Sequence, residues 1–568
     1  MRKIHLAIFF LFFLFVSIME GVHFVLDLRF LTFILYCVPF LLFFLDKKQE
    51  YKIPKIFAVL SGIYLASMLI SIFYSRDRGV SLELFFRDIS LFLLAIYVHA
   101  HSEEIKKHLP KAVIFTSFVF IIVSLCLLLI PAGQGFISEY RLNLLFNPYY
   151  PHKTIGDYLT FGIIISSCFF LIEKREWGKY ALCVFVPLFL LSFSRTAYIT
   201  LVISLFVFLF LKRQLLKKIP LGLTISLVFN VLLTVALFFT FATTNENALF
   251  TYVQNMFQKT ISPRPFMLSR IPFWTEGMRG FLLSPFTGIG PGTFEYISFR
   301  FTNHIFLWAN TSFNLIIDLM AEQGVLSALS LLCLFLYILI TSKKRNVFYL
   351  LFVVLFISFM GFSTYAYLQI RLLFFIVLGL LLQSENDSFV IRKGMLFLSS
   401  ACAIVFIQIL FLHTLFIQFD EREIAHALYP FDSRNMQIII GKERFYIHNE
   451  KNIEYYLNQY NSFFGVDPTS LEYIGDVYAS MGGKSNEKKA IHYYEESFVW
   501  GRYSGGNVLT RMAKLYELKK RVEGEGKAQS YVKGIIGEYA QMIKENEKFG
   551  SHNENQEMVY EELRSTYN

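Results

Sequence analysis

Arginine is the residue that offers chemistry in this chain. Arg195 follows Ser194 in SFSRTAY, and Arg141 lies in EYRLNLLFNPYYPHK, with His152 and Lys153 close behind. Arg264, Arg270, Arg279 and Arg300 punctuate residues 243–323. A guanidinium keeps its charge, and its fork of donors can meet two phosphate oxygens at once. A concentration of such groups suggests a polyanionic substrate, and a lipid-linked diphosphate entering from a bilayer would need this neutralisation. Each single arginine also has a plainer reading, an interfacial side chain snorkelling to water. That reading weighs most on Arg76, Arg78 and Arg264, and least on Arg195 and Arg270. Arg371, in YLQIRLLFF, and the adjacent pair Arg87 and Asp88 lie inside apolar runs, where ionisable side chains are expensive and usually functional.

Proton-transfer groups are fewer. His152, His304 and His23 are the histidines that fall on the same side as the arginines, and a lone loop histidine is more often a surface residue than a base. His304 stands closest in sequence to the arginine cluster and is the catalytic candidate. No HExxH, GxSxG, CxxC or paired-carboxylate signature is present, so neither a metal nor a cofactor is expected. The six cysteines all fall in apolar runs, which argues against a disulfide framework.

SPFTGIGPGTF, residues 284–294, holds three glycines and two prolines. Glycine-rich loops often cradle phosphate. This one lacks the Walker Lys-Ser/Thr and has no strand-then-helix setting. The alternative is a turn joining two helices.

The elements that position these residues follow from composition. The chain is 55% hydrophobic, with mean hydropathy +0.49 and 65 phenylalanines. Ordinary soluble domains are far less apolar. An all-α fold is expected: a polytopic helical membrane bundle over residues 1–418, followed by a soluble helical domain over 419–568. About thirteen spans are read, at 4–20, 28–45, 54–74, 82–99, 112–131, 156–173, 180–193, 196–211, 219–242, 324–341, 347–363, 366–383 and 394–418. MRK before the first run has the look of a signal peptide, but no small-residue cleavage site follows, so an anchor is expected.

Seven basic loops, MRK, DKKQEYKIPK, EEIKKHLPK, EKREWGK, LKRQLLKK, SKKRN and IRKG, fall on one side if the spans alternate. The positive-inside rule makes that side cytoplasmic. This accounts for much of the net charge of +10 without nucleic acid. The long loop 243–323 and the C-terminal domain then lie outside, where ATP and GTP are not available to a glycine loop.

The C-terminal domain reads as helical pairs. LEYIGDVYASMGG, with Ile474, Gly475 and Tyr478, precedes NEKKAIHYYEESF, with Ala490 and Tyr494 four apart. This resembles the tetratricopeptide pattern; a generic helical hairpin is the alternative. A second unit places Met512, Ala513 and Tyr516 at matching offsets. The domain has the form of a docking module for a protein acceptor or an envelope-assembly partner. The polar tail from Lys544 is expected to fray.

Three stretches in order resemble the O-antigen ligase and polymerase superfamily, polytopic glycan transferases of the bacterial inner membrane. They are LLSFSRTAYITLVISLF, RIPFWTEGMRGFLLSPFTGIGPGTFEY and NTSFNLIIDLMAEQGVLSAL. The resemblance covers roughly residues 140–380. It implies that Arg195 and Arg270 hold undecaprenyl diphosphate, with Arg141 and Arg300 as weaker candidates. It implies that Trp274 and the turn Gly288, Gly290, Gly292 are the structural core of the loop, and that Asn314, Glu322 and Gly324 form its helix motif. The chain departs at Phe313, where ligases have the histidine taken to act on the acceptor. Phe cannot accept a proton, so His304 would have to substitute, or the reaction would need no strong base, or activity has been lost.

The resemblance implies transfer of a glycan from undecaprenyl diphosphate to a glycan, lipid A core or protein hydroxyl at the outer face of the inner membrane. A repeat-unit polymerase and a protein oligosaccharyltransferase are the near alternatives. A non-enzymatic lipid-glycan transporter or scaffold is the alternative of another class. Transporters more often carry repeat symmetry and broken helices in matching halves, and no convincing repeat is found among the spans.

Overall fold

The computed structural model describes residues 7–12, 29–75, 77–129, 151–171, 175–190, 195–211, 229, 232, 270–302, 309–342, 347–361, 365, 368–383, 388–447, 449–465, 467–501, 508–548 and 554–567. The expected spans 4–20 and 219–242 fall largely outside these residues. So do Arg141, Arg264, His304 and most of the loop before Arg270.

The described chain is mostly helical. The order begins α1 (Arg29–Leu45), β1 (Glu50–Pro54), α2 (Lys55–Tyr74), α3 (Arg78–Ala100), α4 (Ser102–Leu129), α5 (Pro151–Leu171), α6 (Glu176–Leu190) and α7 (Arg195–Leu211). It continues with α8 (Ile271–Leu283), α9 (Phe294–Phe301), α10 (Leu315–Gln323), α11 (Val325–Thr341), α12 (Val347–Gly361), α13 (Leu368–Leu381), β2 (Ser388–Arg392) and α14 (Lys393–Gln418). The rest is α15 (Arg422–Leu428), α16 (Ser433–Lys442), a π-turn (Glu443–Ile447), α17 (Glu450–Phe464), α18 (Pro468–Met481), α19 (Lys484–Gly501), α20 (Val508–Glu523), α21 (Glu525–Lys548) and α22 (Glu554–Tyr567).

Among the described residues, α2 is the one helix both long and apolar enough to cross a membrane, with 20 residues and a hydropathy of 2.3. Helices α11, α12 and α13 match expected spans but run 17, 15 and 14 residues. At about 1.5 Å per residue they reach only about 21–26 Å, short of the roughly 30 Å hydrocarbon layer.

The chain divides into two compact units. The first comprises Met1–Gly62, Phe86–Pro265 and Ser330–Gln408. Its phenylalanines interlock: the Phe374 ring lies 4.9 Å from Phe335, 5.1 Å from Phe352 and 4.9 Å from Phe359. The helical chain carries one small two-stranded ribbon here. Strands β1 and β2 pair antiparallel, from Glu50 opposite Arg392 to Pro54 opposite Ser388. Both strands lie in predicted basic loops, whose exposed backbones satisfy each other by pairing. The same end carries Asp46, which accepts from Tyr51 Oη at 2.8 Å and contacts His101 Nε2 at 2.7 Å. Gln383 Nε2 donates to the Thr341 carbonyl there at 2.6 Å. The charged residues flagged inside apolar runs also meet: Arg87 Nε and Arg371 Nη1 both reach Asp88 Oδ1, at 3.1 and 3.0 Å.

The second unit comprises Ile63–Phe85, Phe266–Leu329 and Ile409–Asn568. Its C-terminal part is a series of helical pairs around a core that includes Leu457, Tyr460, Ile474, Tyr494, Met512 and Tyr539. Helices α18 and α19 approach so closely that a Cβ on Gly475 would stand 2.9 Å from the Tyr494 ring, which is why a glycine occupies that place. Arg511 and Lys514 of α20 both bind the Glu472 carboxylate of α18 at 3.2 Å. The tail does not fray from Lys544: α21 continues to Lys548, and α22 buries Val559 and Leu563 against the core. Its apolar stripe outweighs its polar composition.

Candidate active site

The segment from Arg270 to Gly324 belongs to the second unit and is built around the glycine turn. Helix α8 ends at Ser284, and the chain reverses through Gly288, Gly290 and Gly292, all at positive φ (66°, 120° and 76°). Glycine reaches this region without steric cost. The turn is zipped onto the end of α10. Ile289 N donates to Ala321 O at 3.2 Å, Gly290 N to Glu322 O at 2.9 Å, and Val325 N to Pro285 O at 2.9 Å. Gly288 N closes the turn on Ser284 O at 2.9 Å. A Cβ on Gly288 would overlap the Glu322 backbone, and one on Gly324 would overlap Phe286 O. The backbone N–H groups of 288–290 are therefore spent on protein carbonyls. The stretch is a connector and not a phosphate cradle.

A serine stripe supports it. Ser71 Oγ donates to Glu322 O at 2.9 Å and Ser67 Oγ to Gln323 O at 3.3 Å, meeting carbonyls that a helix end leaves without intrahelical donors. Ser81 Oγ donates to Pro291 O at 2.9 Å. These serines had no place in the sequence reading. The four-residue spacing of Ser67 and Ser71, on one face of α2, was the available signal.

The acidic residues are structural ties. Glu322 Oε1 accepts from Phe294 N at 3.0 Å, capping α9. Asp318 Oδ1 accepts from Ser312 N at 2.7 Å. Burial, then the neighbouring Glu322, pushes the Asp318 carboxyl well up. Glu276 is 4% exposed, and burial pushes it up to about 8, against the opposing pull of the Ser298 and Thr302 hydroxyls. Ser298 Oγ donates to Glu276 Oε2 at 2.8 Å and accepts from Ala309 N at 3.1 Å. These bonds fix α8, α9 and the segment from Ala309 together.

Arg270 stands at the N-terminus of α8, buried, with its guanidinium carbon 4.9 Å from the centre of the Phe313 ring. Phe273 packs on the same ring at 5.4 Å. Phe313 has φ +64°, an uncommon conformation for a non-glycine residue. The backbone there is pinned: Phe313 N donates to Thr311 Oγ1 at 3.1 Å and Asn314 N to Ser312 Oγ at 3.2 Å. The aromatic ring at the departed position thus holds the arginine by a cation–π contact, which the sequence reading missed. One turn on from Arg270, the Trp274 Nε1 is buried and has no hydrogen-bond acceptor among the described residues. Buried indole N–H groups usually find a partner.

The other expected residues are placed as follows. Asn314 is the N-cap of α10, its Oδ1 accepting from Ile316 N at 3.0 Å and Ile317 N at 3.2 Å. Arg300, in the last turn of α9, lays its guanidinium carbon 4.4 Å from the Trp500 ring centre on α19. Burial lowers its pKa, with Glu496 pulling the other way. Arg195 opens α7 in the first unit, and its side chain lies outside the described residues, as do all of Arg141 and His304. The structure thus brings together Arg270, Phe313, Trp274, Asn314 and the glycine turn, and turns Arg300 toward the C-terminal helices.

No curated protein matches the chain. Residues 180–332 match the family model for O-Antigen ligase, a stretch that takes in Arg195, Arg270, the turn and the α10 cap. That match supports a place in the O-antigen ligase superfamily for this part of the chain.

Proposed function

We propose that the chain transfers a glycan from undecaprenyl diphosphate to an acceptor hydroxyl at the outer face of a bacterial inner membrane. Glycan transfer of the ligase or polymerase type follows from the family; the donor, the face and the residues are our reading. The observation that carries it is the paired donor set on α8, the buried Arg270 guanidinium and the unpartnered Trp274 N–H one turn apart. Both suit the oxygens of a diphosphate or its first sugar. Arg195 and Arg270 bind the diphosphate, with Arg141 and Arg300 in supporting roles. Gathering of the β1, β2, Asp46 and His101 loops at one end of the first unit supports the multi-pass arrangement, because these are loops expected on one side.

In the reaction, the acceptor oxygen bonds the anomeric carbon. The bond from that carbon to the diphosphate oxygen breaks, and its electron pair leaves with the lipid diphosphate. Arginines stabilise the charge that develops on it. The hydroxyl proton passes to His304 or to the departing diphosphate. Phe313, unable to take a proton, favours the second course and with it polymerase-like chemistry.

The test supplies an undecaprenyl-diphosphate glycan and candidate acceptors to the full chain in reconstituted membranes. Arg195→Ala and Arg270→Ala are expected to lose about 100-fold or more in transfer while staying folded, and Trp274→Phe about 10-fold through one lost hydrogen bond. A ladder of repeats identifies a polymerase and a single transfer a ligase. Unchanged rates in both arginine variants would sink the diphosphate site. Lipid movement without turnover in wild type would make the chain a transporter.

A further inference from the structure

The chain leaves α14 into a surface that the candidate active site does not use. The last turns of α14 expose Phe411 (52%) and Leu415 (37%). Phe419 follows directly at 70% exposure, then Ile424 at 46%. Farther on, the π-turn exposes three consecutive large side chains: Phe445 at 61%, Tyr446 at 82% and Ile447 at 51%. A π-turn closes wider than an α-turn and commonly marks a functional place. The two parts meet: Lys442, just before the π-turn, bonds Glu423, just before Ile424, at 3.2 Å. Arg444 lies 4.4 Å over the Phe445 ring, leaving an aromatic with a cationic edge.

Exposed apolar surface of this kind calls for a cover. Three observations say which. The surface is continuous with the exposed apolar side of α14, an apolar helix. Its composition of Phe, Tyr and Ile with flanking Arg is that of side chains that sit at headgroup depth with their polar ends in water. Residues 419–447 hold four basic and five acidic residues, so no charge field selects a strongly basic or acidic protein. We infer that the segment Phe419–Ile447 docks on the outer-leaflet lipid surface, with Phe445, Tyr446 and Ile447 inserted at headgroup level. The inference rests on the reading of α14 as the last membrane span. Insertion is driven by apolar burial and not by attraction to anionic lipid.

The test incorporates the full chain into vesicles of phosphatidylcholine alone, with p-benzoylphenylalanine in place of Tyr446 and, in a second protein, in place of Met558. Met558 is also an exposed apolar side chain, at 60%, on α22. On illumination, position 446 is expected to gain the mass of one phospholipid with a yield at least fivefold above position 558. Equal lipid capture at both positions would show that capture follows exposure alone and would overturn the docking. So would capture of a second copy of the chain at 446, or no lipid capture there. Alkaline carbonate separates the two readings. A chain that resists extraction yet captures no lipid at 446 loses the docking only, and a chain that is extracted loses the membrane reading with it.

Discussion

At position 313 the family pattern has histidine and this chain has phenylalanine, and the ring does a different job. It carries no proton, but it lies under the Arg270 guanidinium and is held there by a backbone at φ +64°. Strained positions of this kind persist where the surroundings over-determine them, here through Thr311 and Ser312. The helix that Arg270 caps, α8, also carries Glu276, which burial raises to about 8. A carboxyl whose folded pKa lies above its unfolded value binds more protons folded than unfolded. Its stability contribution is therefore lost as pH rises from about 4.5 to about 8, at about 1.4 kcal/mol for each pH unit. The thermal midpoint of the wild type in detergent should fall across that window. Glu276→Gln keeps an acceptor for Ser298 and has no proton to lose, so its midpoint should stay flatter and exceed that of the wild type near pH 8. Parallel curves would mean that Glu276 is not buried as described.

At the scale of elements, the loop works because α8, α9 and α10 approach with almost no space between them. A Cβ on Gly288 overlaps the Glu322 backbone and also sits at positive φ, so Gly288→Ala meets two penalties at once. It should lower stability by about 2 kcal/mol or more and remove transfer with it. Gly441→Ala, in α16 with nothing within 4 Å, should be neutral or gain up to about 1 kcal/mol. Asn314 separates a cap from a substrate contact. Asn314→Ala should cost about 1 kcal/mol by exposing the N–H groups of Ile316 and Ile317. Asn314→Asp keeps the capping oxygen and should restore stability; transfer measured on that variant then reports any separate contact with substrate. Much of this loop was legible in advance. Glycine spacing offered a turn between two helices, and the family resemblance implied a helix motif at Asn314, Glu322 and Gly324. What stayed hidden was which carbonyls the turn would meet. Ser67, Ser71 and Ser81 are more than 200 residues away in sequence from their partners, and no local pattern encodes such a pairing.

For the whole molecule, hydropathy made a helical chain readable, because a backbone in lipid has to satisfy its own hydrogen bonds. It did not reveal the β1–β2 ribbon. Five-residue strands joined across more than 300 positions leave no periodic trace in two short basic loops. Nor did composition foresee α22, where two buried side chains, Val559 and Leu563, decide for order in a polar tail. The ribbon also bears on topology. Two expected cytoplasmic loops that pair residue by residue must lie on one side of any membrane the chain crosses. A cysteine at Lys52, exposed in β1, should therefore resist a membrane-impermeant maleimide in intact spheroplasts and react once they are permeabilised. A cysteine at Lys393, bonded to the Gln49 carbonyl beside the ribbon, should behave in the same way. A cysteine at Met558 should react before permeabilisation, with the unaltered chain as the blank for its native thiols. Labelling of Lys52→Cys and Met558→Cys under the same condition would put the ribbon and the C-terminal helices on one side. The alternation of spans, and with it the outer placement of Arg270, would then fail.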